Sequence, residues 1–315
     1  MSAEPDVAVI IVHGILSNDA VFAGPMIEGL CSRLGDIQQR VHFGTIFWAH
    51  EVRDHQTEYR GQIQKLVKHN RLRRYVIEGL GDAAAYQKTN DHGHVIYFNV
   101  QNDIHKKIRE FDTRNRALQQ ETCRLIFIAH SLGSHIVSTF IWDVNKLKQR
   151  PEAYMKAWHK PDSAAVALWK ELNPETATPF RRLDTLAGLV TIGSNIPLFT
   201  FPYGSAGILP ISAAPTDDDH TAYKPAFPGP ALPPEVSNKA RWLNFYSRRD
   251  VLGYPVKPLN RLFQQASCIE DICVESESLL SKLIPFWSCV SAHTGYWTNK
   301  TVLDRTADLI RDAAR

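Results

Sequence analysis

The chain has 315 residues, 44% of them hydrophobic and 22% charged, with a net charge of +3. This is ordinary globular usage and excludes a disordered or fibrous chain. So small a basic excess leaves no electrostatic footprint for nucleic acid.

Met1–Asp6 carries no basic region and no apolar segment before a cleavage site, so no signal peptide is expected. Val7–Val12 follows as a continuous apolar run. Similar runs recur at Val41–Trp48, Leu125–Ala129, Leu186–Ile192, Trp242–Tyr246 and Ile269–Val274. Their length and continuity suit strands buried on both faces. Helical spacing separates several of them. Ile104, Ile108, Phe111 and Leu118 share one face, and Ile136, Val137, Phe140, Ile141 and Val144 another. Val302, Thr306, Leu309 and Ile310 mark an amphipathic C-terminal helix. The alternation predicts an α/β fold with a mostly parallel central sheet and helices on both faces. No apolar run approaches the roughly 18 residues of a membrane helix. The five cysteines are odd in number and scattered, and read as reduced thiols of a cytoplasmic protein.

One domain over 1–315 is expected, with two insertions. Residues 143–184, punctuated by Pro151, Pro161 and Pro174, read as a helical cap. Residues 197–235 hold nine of the chain's 18 prolines and read as a lid loop. Its apolar half, 197–211, would cover a pocket, and 215–234 would form an outer loop. Trp142, Trp158, Trp169, Phe199, Phe201 and Tyr203 would line an acyl pocket or simply pack the insertions down.

The sharpest chemical signal is Ala129-His130-Ser131-Leu132-Gly133, between a strand and a helix. A serine on a tight strand-to-helix turn needs small residues two before and two after it, and Ala129 and Gly133 supply them. The plain alternative is a serine capping a helix. Val12-His13-Gly14-Ile15 ends the first strand and offers a close-approaching loop. The backbone N–H groups of Ile15 and Leu132 would form an oxyanion hole. An acid is needed past the end of a strand. Asp250 fits, whereas Asp184 and Asp271 sit at the wrong end of their runs. An ion pair with Arg248 or Arg249 is the alternative role for Asp250. His293 is the only histidine after Asp250 and lies on a small-residue loop before the last helix. His130 is expected to point away from the nucleophile and His135 to be a helix residue. Asp91-His92-Gly93-His94 is a weak metal motif and reads as a turn. Gly79-Leu80-Gly81-Asp82-Ala83-Ala84 mimics a dinucleotide loop, but the chain after it leaves too short a crossover. Lys65, Lys68, Arg71 and Arg74 read as a solvated helix face, with an anionic head group as the alternative.

On these motifs, with Ser247-Arg248-Arg249-Asp250 and Ala292-His293-Thr294-Gly295-Tyr296-Trp297, the chain resembles the α/β-hydrolase superfamily. Within it the likeness is to serine esterases and lipases, and most closely to the lipase-like group that includes GPI inositol-deacylase-like proteins. It spans residues 7 to about 312, weakens over 51–100 and is absent over 197–235. The resemblance implies a triad in the order Ser131, Asp250, His293, acting on a small-molecule or lipid carboxylic ester without cofactor or metal. It leaves room for peripheral lipid contact. The alternative is a ligand- or partner-binding protein on the same fold without catalysis.

Overall fold

The computed structural model of the chain describes residues 6–14, 21–48, 57–59, 61–63, 81, 84–86, 94–117, 123–157, 177–201, 209–214, 223–275 and 292–315. Six strands, β1 (Val7–Val12), β2 (Val41–Ile46), β3 (Arg124–His130), β4 (Leu186–Ile192), β5 (Arg241–Tyr246) and β6 (Ile269–Cys273), form one sheet. Every pairing is parallel, and the order is β2-β1-β3-β4-β5-β6. Each strand falls on a run marked by the sequence, and β1 and β4 keep the same ends. All residues of β1, β3 and β4 are buried, which is why they read as unbroken apolar runs rather than as alternation.

Among the described residues the helices with both ends defined are α1 (Gly24–Leu34), α2 (His94–Ala117), α3 (Leu132–Gln149), α4 (Pro151–Ala157), α5 (Pro234–Ser237), α6 (Arg261–Gln265) and α7 (Lys300–Ala313). Register fixes which face each covers. Phe127 of β3 is level with Leu189 of β4, and its ring meets Phe140 of α3 edge-on at 6.1 Å. Ile126 and Gly188 face the other way, where Leu309 of α7 fills the space above Gly188. Helices therefore cover both faces, as the alternation predicts. Among the described residues no helix is long and apolar enough to cross a membrane.

The insertions depart from expectation in detail. Residues 143–149 still belong to α3, and a separate helix begins at Pro151, where proline suits the first helical position. The proline-rich segment is no outer loop over its described second half. Ala226 and Phe227 donate to the Ile211 carbonyl, Gly229 to Leu186 and Ala231 to Asp184. Tyr223, Ala226 and Phe227 are buried. Segment 223–234 thus runs back along the start of β4, because its apolar residues outweigh the loop-like composition. Leu118, Trp158, Trp169, Tyr203, Asp91–Gly93 and the Lys65–Arg74 cluster lie outside the described residues.

Candidate active site

In an open parallel sheet, ligands bind beyond the carboxyl ends of the strands where the winding direction reverses. Here the chain steps from β1 out to β2, then returns past β1 to β3 and continues outward. The reversal lies between β1 and β3. Gly14 and Ser131 stand just beyond those two strand ends.

Ser131 has φ 52° and ψ −124°, one of two non-glycine residues with positive φ among those described. A conformation of this kind costs about 1–3 kcal/mol and persists only where the surroundings enforce it. Two glycines do so. A Cβ on Gly14 would collide with Ser131 Cβ and stand 2.7 Å from the His130 carbonyl oxygen. A Cβ on Gly133 would lie 2.5 Å from the His13 oxygen and 2.7 Å from that of Val12. The β1 loop and the β3–α3 turn are therefore in backbone contact. The Ser131 amide donates to the Ile192 carbonyl at 3.0 Å, tying the turn to β4 as well.

His13 holds the loop from behind. The Trp48 amide donates to its Nε2 at 3.0 Å, so its proton sits on Nδ1, against the Gly14 carbonyl. The Trp48 indole donates to the His13 carbonyl at 2.9 Å, and the two rings stack at 5.1 Å. Leu132 opens α3, where amides have no partner within the helix. Ile15, the other expected donor, lies outside the described residues.

Asp250 follows β5 by four residues and is buried. His293 Nδ1 donates to Oδ1 at 2.9 Å and approaches Oδ2 at 3.0 Å. The Tyr296 hydroxyl donates to Oδ2 at 2.8 Å, and the Leu252 amide to Oδ1 at 2.9 Å. Burial pushes the Asp250 pKa up. The bond and charge of His293, with the Leu252 and Tyr296 donors, outweigh it and hold the carboxyl below its ordinary value. Arg248 and Arg249 are exposed. Gly193 and Gly253 pack against the carboxylate, where a Cβ on Gly193 would lie 3.0 Å from Oδ2 and 3.2 Å from His293 Cε1.

With Nδ1 protonated toward the carboxylate, His293 Nε2 carries a lone pair. That nitrogen is buried without a hydrogen-bond partner, and so is Ser131 Oγ. Unpaired buried polar atoms are costly in a folded protein, so each calls for an explanation.

A polar ladder underpins the acid. Trp242 Nε1 donates to Thr191 Oγ1 at 2.9 Å, Thr191 to Asn244 Oδ1 at 2.7 Å, and Asn244 Nδ2 to Asp271 Oδ1 at 2.7 Å. Asp271 also accepts the Val256 and Lys257 amides at 3.0 and 2.8 Å. It lies within β6 rather than before it, and it anchors the chain just past Asp250. Asp184 sits at the opposite end of the sheet, paired with Lys148 and Arg182.

Sequence reasoning missed two neighbours. Tyr296 is the second side-chain donor to Asp250, and only its place three residues after His293 hinted at it. His130 does not stand apart from the site. Its ring packs on His293 with centroids 4.8 Å apart. His135 is in α3 as expected, its ring stacked on Phe199 at 4.1 Å. Phe201 is exposed, and Trp142 is half-buried against the core. Among the described residues no group of three or more His, Cys, Asp and Glu side chains could hold a metal ion. The motifs, not a relative, carry the reading: no protein-family model matches the chain, and a search of curated proteins finds no match either.

Proposed function

We propose that the protein is a serine hydrolase of the α/β-hydrolase type that cleaves a carboxylic ester. The observation that carries the reading is the pair of buried, unpartnered atoms, Ser131 Oγ and His293 Nε2, with Asp250 on the far nitrogen of the same imidazole. The all-parallel sheet supports the lipase-like variant, which lacks antiparallel edge strands.

Ser131 Oγ attacks the ester carbonyl carbon while His293 Nε2 takes its proton. Asp250 keeps the tautomer and stabilises the imidazolium. The amides of Leu132 and Ile15 hold the oxyanion, helped by the N-terminal end of α3. Collapse breaks the carbon–oxygen bond to the alcohol, which leaves with the proton from His293. Water then attacks the acyl-enzyme, giving its proton to His293, and the acid departs as Ser131 is restored.

Val21, Phe201 and Val251 support an apolar or lipid ester. They are 74%, 73% and 59% exposed on segments that follow β1, β4 and β5 in the chain. Among the described residues Cys31, Cys123, Cys268 and Cys273 are free thiols.

The test is labelling with a fluorophosphonate probe, followed by p-nitrophenyl esters of increasing chain length. Labelling and hydrolysis should both vanish in Ser131→Ala. Folded protein that neither labels nor hydrolyses would refute the proposal and leave a binding protein on this fold.

A further inference from the structure

Of the histidines not used in this chemistry, His130 is in direct ring contact with the proposed base. It ends β3 and directly precedes Ser131. Its Nε2 stands 2.8 Å from the His293 carbonyl oxygen. A carbonyl oxygen only accepts, so the proton of His130 is on Nε2 and is donated there. The two imidazoles lie 4.8 Å apart at 39°, and Trp297 meets His130 edge-on at 5.2 Å. The residue is only 4% exposed.

We infer that His130 is a positioning residue, whose Nε2–H bond to the His293 carbonyl fixes the backbone that presents the base to Ser131. This rests on the hydrolase reading above. Ser131 and His130 are consecutive residues at the end of a fully buried strand. One rigid peptide therefore carries the nucleophile and also anchors the base, so the gap between them is referenced to a single point. The segment bearing His293, helical over 292–294 rather than the loop its small residues suggested, would otherwise set that gap.

His130 is held neutral in this setting. The titratable groups around it are His293, Tyr296, Asp250 and His13. Burial, with the charge of His293 in the same sense, brings its pKa down to about 3, against the carbonyl bond and Asp250. When His293 accepts the Ser131 proton, no second cation stands beside it.

Three variants separate the donor from the ring. His130→Phe keeps an aromatic ring without a donor, His130→Gln keeps a donor, and His130→Ala removes both. Turnover of p-nitrophenyl acetate is measured per fluorophosphonate-titrated site and across pH. A misplaced reacting group costs on the order of 10²-fold, so His130→Phe should lower kcat per site by about that factor with KM little changed. His130→Gln should recover most of it, with the acidic limb of kcat/KM still fitting one proton. A merely structural role would lower the titratable fraction while sparing kcat per site, and that result overturns the inference. Wild-type turnover in His130→Phe, or His130→Gln as slow as His130→Phe, also overturns it. Nitrogen-15 NMR of the wild type needs no variant: the His130 ring should hold the Nε2–H tautomer down to about pH 4, and an Nδ1–H tautomer would overturn the assignment. Wild type that neither labels nor hydrolyses removes the hydrolase reading and this inference together. An active wild type indifferent to His130 removes the inference alone.

Discussion

Replacing Gly14 by alanine probes the contact on which the site is built. The added methyl would collide with Ser131 Cβ and stand 2.7 Å from the His130 carbonyl oxygen and 3.1 Å from Ser131 Oγ. Ordinary carbon contacts are about 3.5–4.0 Å, so the β1 loop or the serine turn must retreat by roughly 1 Å. Overpacking of this kind costs about 1–3 kcal/mol of stability. The functional cost is larger, because the displaced loop carries a proposed oxyanion donor. Losing one such donor lowers kcat by about 10²–10³. Gly24→Ala is the control, since nothing lies within 4 Å of a Cβ there and the residue opens α1. It should leave turnover intact and cost less stability than Gly14→Ala. Thermal unfolding and p-nitrophenyl acetate turnover of both variants decide the matter. If Gly14→Ala unfolds and turns over like the wild type, the two loops do not form one unit and the reasoning fails.

Asp250→Asn should keep the fold and lower kcat on the order of 10⁴, as loss of the acid does in a serine triad; undiminished kcat would point to another acid. Tyr296→Phe removes one of the donors to that carboxylate and should cost far less, within about tenfold by kcat, because a hydrogen bond to a charged group is worth about 1.5–3 kcal/mol and only part of it acts on the base. Asp271→Asn should lower stability by about 1–3 kcal/mol through the Val256 and Lys257 amides while sparing most turnover, which denaturant titration and initial rates would distinguish. Acid should destabilise the protein through histidines. Burial, the first cause at each, lowers the His105 and His130 pKa to about 3 and that of His135 to about 4. The unfolded side chains take up protons below about pH 6.5 while the folded ones do not, so stability is greatest above that pH and falls as pH drops toward 4. With all three contributing, the slope approaches about 4 kcal/mol per pH unit. Urea unfolding at pH 7, 6 and 5 checks this, and equal stability at the three values would refute it.

The sheet was legible because its strands are buried on both faces. Leu186–Ile192 has no polar residue but Thr191, so no competing period disturbed it. The strand-to-helix turn at Ser131 was legible because its demand for small neighbours is local in sequence. What escaped was set by contacts between distant segments. Thr191, Asn244 and Asp271 look like polar blemishes in separate strands until register stacks them into one ladder. His130 gave no signal of its own, because its partner is a carbonyl 163 residues away. Composition misled over 223–234, where prolines suggested an outer loop; Ala226 and Phe227 are instead buried and bonded to Ile211, and Gly229 and Ala231 anchor the chain at the start of β4.

The positive φ of Ser131 has an evolutionary side. A residue forced into glycine's territory is tolerated for its side chain, not for the backbone it adopts. Ser131→Gly would free that backbone from its steric penalty, and about 1 kcal/mol of the strain should return as stability while hydrolysis is lost. Drift toward a tighter fold would therefore favour losing the proposed nucleophile. A serine held at this position against that drift is what selection for its chemistry would leave behind, which sets the trade between robustness and activity at a single residue.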